Sequence, residues 1–168
     1  MIEITFYVPC LNEEKNIQES LRTIIQSCKI LEIINYEILV FDDGSKDQSV
    51  KKIEEFKSNN NYSDIIKIYS NKISMGLGYN YIEGAYKGKG EYYIMVCGDN
   101  SEDQDNLCKV LSERGKADII VPNFVKNDNR IFFRRILSRF FTYLINLFSG
   151  NNLKYYNGIV LHKIENVK

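Results

Sequence analysis

Short apolar runs alternate with segments of helical spacing over the first 120 residues of the chain. Runs rich in β-branched and aromatic residues predict strands at residues 2–8, 37–41, 65–69, 93–97 and 118–121. Between them the spacing of apolar residues predicts helices, beginning with Ile17, Leu21 and Ile24 and continuing with Val50, Ile53 and Phe56. Further helices are expected at about 79–87 and 104–114. Strands that alternate with helices favour an α/β fold with a doubly wound, mostly parallel sheet.

Polar residues follow three of these strands at the point where each strand ends. Asn12-Glu13 follows the first strand, Asp42-Asp43 the second and Asp99-Asn100-Ser101 the fourth. The carboxyl ends of parallel strands meet at one edge of a sheet, where ligands bind in open α/β folds. Carboxylates grouped without histidine suit a hard cation such as Mg²⁺ or Mn²⁺ together with a phosphorylated ligand.

A structural interpretation of the Asp99 segment stays open beside the functional one. Asp99-Asn100 can simply form a turn after the strand, with Glu102 and Asp103 at the start of a helix. His162, the single histidine, is expected in a C-terminal strand without a catalytic role. No side chain stands out as a catalytic base.

Residues 131–148 show a different pattern, with basic and apolar side chains on opposite sides of a predicted helix. The polar arc holds Arg134, Arg135, Ser138, Arg139, Thr142 and Asn146. Three arginines within the segment exclude an ordinary transmembrane helix. Two interpretations remain: a core-packing helix with a solvated face, or a peripheral membrane contact in which the arginines approach lipid phosphates.

The composition predicts one domain and places few limits on its partners. The 168 residues are 44% apolar, enough for a sizeable core. Residues 129–168 hold seven Lys or Arg against one Glu, so they carry +6 and the preceding residues −6. This favours phosphate or membrane contact over nucleic acid, since no nucleic-acid-binding motif is present. The four cysteines lack metal-site spacing, and no signal peptide is evident, so a cytoplasmic protein with reduced thiols is expected.

Four segments, in order, resemble the motifs of family 2 glycosyltransferases. Residues 8–14 resemble the Pro-x-x-Asn-Glu signature, 41–47 the Asp-Asp-Gly-Ser-x-Asp motif and 71–84 the Asn-x-Gly-x-Gly-x-Ala-x-Asn-x-Gly region. Gly98-Asp99-Asn100 stands at the Asp-x-Asp metal motif. The later runs 134–139 and 156–159 look like the Arg-x-x-Ser and Ser-Gly-Phe-Arg region of the dolichol-phosphate mannose synthase-like subgroup, whose acceptors are polyprenyl phosphates.

The resemblance implies a GT-A fold, a nucleoside-diphosphate-sugar donor and a divalent cation, Mg²⁺ or Mn²⁺, on the diphosphate. It further implies inverting transfer to a lipid-linked (polyprenyl phosphate) or saccharide acceptor. The implied nucleotide-binding residues are Pro9, Leu11, Glu13, Asp42, Asp43, Gly76 and Gly98. Asp99 would be a metal ligand and catalytic residue, with Ser101 beside the metal and Arg134 as a second catalytic residue near donor or acceptor phosphates.

The resemblance also implies one catalytic domain over 1–168. Residues 1–121 would bind the nucleotide sugar, and 122–168 would form an acceptor-side or membrane-proximal segment, truncated where many relatives continue. The expected location is cytoplasmic, at the cytoplasmic face of a membrane.

Two departures from the family pattern support a different class of function. Cys97 replaces the first aspartate of Asp-x-Asp, and Val160 replaces the arginine of Ser-Gly-Phe-Arg. The alternative is therefore a catalytically weakened nucleotide-binding or partner-binding module on the same fold. A nucleotidyltransferase is a third hypothesis, although the glycine-rich basic loop of such enzymes is absent.

Overall fold

Strands and helices alternate along the chain in the computed structural model. The structure describes residues 1–122, 132–150 and 158–168. In the helix at 132–149, side chains are described from Ile136 onward. The strands are β1 Ile4–Cys10, β2 Tyr36–Asp42, β3 Ile66–Ser70, β4 Tyr92–Met95, β5 Ile119–Ile120 and β6 Leu161–Lys163. The helices are α1 Ile17–Ile30, α2 Ser49–Asn60, α3 Leu77–Lys87, α4 Gln104–Ser112 and α5 Phe132–Ser149, and a 3₁₀ turn covers Ile164–Asn166. The predicted order of elements is therefore confirmed.

The strands form one sheet in the order β3-β2-β1-β4-β6-β5. β1 pairs in parallel with β2 and β4, and β2 pairs in parallel with β3. β6 is antiparallel to both of its neighbours, β4 and β5. The expected mostly parallel α/β sheet is confirmed, and β6 is its one reversed strand within the described residues.

Contacts divide the chain into two compact units, residues 1–120 with 159–168, and residues 121–158. The expected single catalytic domain, with its functional division after residue 121, stays a prediction. Residues 159–168, expected in the acceptor-side segment, belong to the first unit because β6 pairs with β4 and β5. The sequence pattern could not show this return, since a three-residue strand has no periodicity of its own.

The core of the first unit follows from alternation along the strands. On β1, Ile4, Phe6 and Val8 enter one apolar cluster, whereas Tyr7 enters a second cluster on the opposite face of the sheet. The predicted apolar residues of α1 are all buried in the first cluster. Both faces of the sheet are thus covered by helices and side chains, as a parallel sheet requires.

β1 continues through Pro9, where the sequence pattern had placed its end. Pro9 pairs with Phe41 and Cys10 with Asp42 in the β2 ladder. The carbonyl of Pro9 faces the other side and accepts from the Gly98 N–H at 3.2 Å, beyond the end of β4 at Met95. The Val96 and Gly98 N–H groups still donate to the Tyr7 and Pro9 carbonyls past the end of β4, so the proline lacks a donor on this side of β1 but keeps its acceptor.

The second unit contains α5, which covers the helix predicted at 131–148. Arg134 lies in α5, but its side chain is outside the described residues. Gly150, directly after α5, has a positive φ of 69°, a conformation that glycine adopts readily at helix ends. None of the helices that the structure describes has the length and apolarity to span a bilayer.

Candidate functional site

The loops that follow β1, β2 and β4 meet around an open cleft at the carboxyl edge of the sheet. The cleft has a volume of about 240 Å³. Its lining consists of Tyr7, Pro9, Cys10, Leu11, Glu13, Phe41, Asp43, Leu77, Asn80, Cys97, Gly98 and Asp99. The predicted convergence of these loops is therefore observed in the structure.

The loop after β1 is held by the loop after β2. The Asn12 N–H donates to Ser45 Oγ at 2.9 Å, and the Glu13 N–H donates to Ser49 Oγ at 2.7 Å. In return, the Lys46 N–H donates to Asn12 Oδ1 at 2.9 Å. Asn12 has a positive φ of 58°, a conformation that asparagine tolerates well. The serines of the second loop thus shape the first loop, which carries Leu11 and Glu13 into the cleft.

Asp47 completes this connection. Its Oδ2 accepts from the Glu14 N–H at 3.0 Å, and its Oδ1 accepts from the Ser49 N–H at 2.9 Å. The second of these bonds satisfies an N–H at the start of α2, so Asp47 supplies a capping oxygen there, although Gln48 occupies the N-cap position. Burial raises the pKa of Asp47, but the hydrogen bonds from Ser49 and Glu14 outweigh it and lower the pKa.

Asp43 anchors the loop after β3 through five hydrogen bonds. Oδ1 accepts from Asn71 Nδ2, the Met75 N–H and Asn80 Nδ2, each at 2.8 Å. Oδ2 accepts from Ser74 Oγ at 2.6 Å and from the Gly76 N–H at 3.0 Å. A carboxylate offers about four lone-pair sites, so these donors use its acceptor capacity fully. A nucleobase could bond to this carboxylate only by displacing one of them.

The charge on Asp43 is stabilised by these neutral donors. Burial raises the pKa of its carboxyl, but the hydrogen bonds from Ser74, Met75, Asn71 and Asn80 outweigh that effect and hold the pKa well below its ordinary value. The side chain of Asn80 is itself buried and accepts from Asn71 Nδ2 at 2.8 Å. Asp43 therefore stays ionised and fixes the wall of the cleft formed by residues 71–80.

Two predicted nucleotide-binding residues do not line the cleft. Asp42 is buried, and its Oδ1 accepts from the Ser45 N–H at 3.2 Å, so its side chain supports the turn after β2. Gly76 precedes α3 with a φ of 86°, and its N–H donates to Asp43. Both residues hold the loops that form the cleft.

The loop after β4 brings Gly98 and Asp99 to the cleft. A Cβ atom at Gly98 would lie 2.6 Å from the Pro9 carbonyl oxygen, so only glycine allows this approach of the loop to β1. Asp99 is exposed, and its Oδ1 accepts from the Ser101 N–H at 3.0 Å. The structural interpretation of this segment is also observed, because Asp103 is the N-cap of α4 and accepts from the Asp105 N–H. Asp99 thus forms a turn and faces the cleft.

Cys97, at the family's first aspartate position, is a neutral thiol. Burial raises its pKa to about 11, and the charges of Asp99 and Glu102 add to the increase. Burial also raises the pKa of Glu102, and Asp99 adds to that effect. A neutral thiol beside oxygen ligands contributes little to holding a hard cation.

The donors at the cleft fit a cation that arrives with a phosphorylated ligand. Within residues that the structure describes, no three His, Cys, Asp or Glu side chains converge as metal ligands. Mg²⁺ typically takes one or two protein carboxylates and completes its shell with water and substrate phosphates. Asp99, with the exposed Ser101 beside it, meets that requirement through a single carboxylate.

The cleft includes residues that sequence reasoning missed, among them Tyr7, Phe41, Leu77 and Asn80. Strand alternation could have identified Tyr7, since it shares a face of β1 with Pro9. Asn80 carried no such signal, because its partners Asp43 and Asn71 are distant in sequence. His162 is half-buried in β6 as expected, and burial lowers its pKa.

The sheet and its cleft define an α/β protein of the GT-A class. A mannosyltransferase from Pyrobaculum calidifontis, solved with GDP-Man and Mn²⁺, superposes with a TM-score of 0.64 at 16% identity, covering 96% of this chain and 44% of that one. Glucosyl-3-phosphoglycerate synthase from Mycobacterium tuberculosis, solved with Mn²⁺, UDP-glucose and phosphoglyceric acid, gives a TM-score of 0.67 at 16% identity, covering 98% and 57%. These similarities confirm the predicted GT-A fold.

The chain belongs to glycosyl transferase family 2, whose sequence profile it matches over residues 5–164. It is 25% identical over 151 residues to the undecaprenyl-phosphate 4-deoxy-4-formamido-L-arabinose transferase of Proteus mirabilis. That alignment covers 90% of this chain and 45% of the relative, so the chain spans less than half the length of that protein.

Proposed function

We propose that this chain is the donor-binding part of an inverting glycosyltransferase that uses a nucleoside-diphosphate sugar. The observation that carries this proposal is the cleft itself, where Leu11, Asp43 and Asp99 from three motif-bearing loops line one cavity. The apolar side chains and Glu13 suit a nucleoside, and Asp99 suits the cation of its diphosphate. Family membership supports sugar transfer as the reaction.

A divalent cation bound with the diphosphate would neutralise the charge that builds on the leaving group. Asp99 would hold the cation with Ser101 nearby. Asp43 keeps the wall at residues 71–76 in place, and Gly98 keeps the Asp99 loop against β1. Arg134 remains a predicted contact for donor or acceptor phosphates.

The acceptor we propose is a lipid-linked phosphate, with a saccharide as the other option. An ionised phosphate attacks without a catalytic base, which agrees with the lack of an evident base in the sequence. The Proteus mirabilis relative is named for an undecaprenyl-phosphate substrate. A role in cell-wall or polysaccharide synthesis at the cytoplasmic face of a membrane follows from such an acceptor, and α5 would supply the peripheral contact through its basic and apolar arcs.

Calorimetric titration with UDP and GDP, each with and without Mn²⁺, tests donor binding. We expect one nucleotide to bind in a metal-dependent manner and Asp99→Asn to abolish that dependence. Asp103→Asn is the matched control, because it makes the same change four residues away and asparagine also caps helices. Absence of binding, or binding without metal dependence, would contradict the proposal.

A nucleotide-binding module without catalytic activity is the second candidate, favoured by the neutral thiol of Cys97 where the family carries a carboxylate. Donor turnover separates the two functions. Sugar transfer from the matching nucleotide sugar to a polyprenyl phosphate, lost in Asp99→Asn, would exclude the module. Tight nucleotide binding without turnover would support it.

A further inference from the structure

Tyr7 occupies an unusual position beneath the cleft. It lies on β1 between β2 and β4, the strands that precede Asp43 and Cys97, and it is 0% exposed. Its ring packs against Phe41 and Tyr81 with centroid separations of 5.4 and 5.5 Å. A Cβ atom at Gly84 would lie 2.7 Å from the Tyr7 ring, so glycine is needed for α3 to pack this closely. The ring is therefore fixed in one place.

The hydroxyl group of Tyr7 has no hydrogen-bond partner among the residues that the structure describes. It is the one buried side-chain nitrogen or oxygen in that part of the chain without a partner. Tyr93 packs in the same aromatic cluster, but its hydroxyl donates to the Tyr81 carbonyl at 2.7 Å. A buried donor without an acceptor destabilises a protein, and phenylalanine would avoid that penalty at this position.

The neighbours of the Tyr7 hydroxyl leave it available as a donor. The Asp43 carboxylate is close enough to influence it electrostatically, but its acceptor sites are occupied by the five donors of the 71–80 wall. Burial, with the charge of Asp43, raises the pKa of Tyr7, so the phenol keeps its proton at physiological pH. Tyr7 also lines the cleft. A molecule that enters the cleft can therefore accept a hydrogen bond from this hydroxyl.

We propose that the Tyr7 hydroxyl recognises the nucleoside by donating a hydrogen bond to a carbonyl oxygen of its base. The surroundings favour a base over a phosphate, because Pro9, Leu11 and Phe41 are apolar and the Asp43 carboxylate repels anions. Tyr7 is fully buried, so the ligand reaches the hydroxyl only when a lining side chain moves aside. Among the lining side chains, Leu77 is 54% exposed and lies outside both core clusters.

The test rests on the proposed donor site and compares two variants that each remove one hydroxyl. Tyr7→Phe is expected to unfold at the same temperature as the wild type or a higher one, because it removes an unpartnered donor. It should weaken binding of the preferred nucleoside diphosphate by about 2- to 12-fold, the equivalent of one neutral hydrogen bond. Tyr93→Phe, the matched control, should unfold at a lower temperature and bind nucleotide as the wild type does.

Calorimetry with UDP, CDP, GDP and ADP distinguishes the possible outcomes. If Tyr7→Phe loses affinity only for the preferred nucleotide, whose base carries a carbonyl group, and keeps its stability, the inference is supported. Unchanged affinity in Tyr7→Phe would overturn it while leaving the proposed function intact. An equal loss for every nucleotide would place the contact on the ribose or phosphates and overturn the base assignment. If the wild type binds none of the four, both proposals fail.

Discussion

The two ends of the sheet each contain a buried carboxylate, and the two groups are stabilised differently. Glu37, near the amino end of β2, accepts from Thr5 Oγ1 at 2.9 Å and the Lys89 N–H at 2.6 Å, and it pairs with Lys67 Nζ at 2.8 Å. Asp43, just past the carboxyl end of β2, is held by five neutral donors, and within the described residues it pairs with no Lys or Arg.

The difference reflects two roles: Glu37 stabilises the fold, whereas Asp43 positions one wall of the binding site. The partners of Glu37 come from β1, β3 and the segment between α3 and β4, so its hydrogen bonds join elements that are far apart in sequence. All donors to Asp43 come from residues 71–80, which form one wall of the cleft. A cation beside Asp43 would add positive charge that competes with a bound metal, whereas neutral donors fix the wall and leave the negative charge in place.

Asp43→Asn is expected to have the largest effect, because it acts on both stability and binding. The amide turns an acceptor oxygen into a donor that faces other donors, which should lower the free energy of unfolding by about 3 kcal/mol. Loss of the wall should weaken nucleotide binding by more than about tenfold. Denaturant unfolding and calorimetry measure both quantities, with the exposed surface variant Asp64→Asn as the control.

The same variant should change the acid dependence of stability. The pKa of Asp43 is lower in the folded protein than its ordinary value of 3.8. Its stabilising contribution is therefore complete above pH 3.8 and is lost as the pH falls further, toward the folded-state value. The difference in stability between wild type and Asp43→Asn should shrink below pH 3.8, and a constant difference would contradict this role.

Glu37→Gln should affect stability without affecting the cleft. Glutamine keeps one acceptor for Thr5 and Lys89, but its buried amide N–H groups face the Lys67 ammonium, and we expect a loss of about 2 kcal/mol in the free energy of unfolding. The dissociation constant for nucleotide should match that of the wild type at a temperature where both are folded. A large loss of affinity would show that the two ends of the sheet are coupled.

Cys97→Asp tests metal binding at the carboxyl end of the sheet. A second carboxylate beside Asp99 should strengthen the Mn²⁺-dependent part of nucleotide binding by about tenfold, since ligand charge raises cation affinity. Cys108→Asp on α4, outside the residues that line the cleft, provides the matched control. Titration with Mn²⁺ at fixed nucleotide concentration measures the effect, and equal responses of the two variants would refute it.

Lys67→Met should have the smallest effect. Lys67 is 38% exposed, so its ion pair with Glu37 is partly screened and contributes less than about 1 kcal/mol. The hydrogen bond to Glu37 raises the pKa of Lys67 above its ordinary value of 10.5. The contribution of Lys67 is thus complete below pH 10.5 and disappears as the pH rises beyond it. Unfolding curves of wild type and variant should converge at alkaline pH.

The sequence predicted the elements well because local patterns determine them. The apolar spacing of α1 and the β-branched runs of β1 and β2 depend on near neighbours, and the polar loops after three strands identified the binding edge. The hydrogen-bonding roles of the same polar residues were not predictable. Asp42 and Asp43 are adjacent and chemically identical, but the bond from Ser45 to Asp42 is local, whereas only tertiary structure brings Asn71 and Asn80 to Asp43.

The position of β6 also depends on non-local contacts. Its residues pair with Tyr92–Ile94 on one side and Ile119–Ile120 on the other, in a strand too short to show alternation. Pro9 is a related case, since proline usually ends a strand, whereas here it pairs with Phe41 of β2 and its carbonyl accepts from the Gly98 N–H. The sequence pattern alone predicts neither the position of β6 nor the continuation of β1 through Pro9.

The insertion of β6 between β4 and β5 has a consequence for protein synthesis. β4 is made about 65 residues before the strand that covers its outer edge. At about 5–20 residues per second, a ribosome leaves that edge uncovered for roughly 3–13 s. An uncovered strand edge can pair with another nascent chain. The brevity of β4, only four residues, limits the length of backbone exposed to that risk while translation continues.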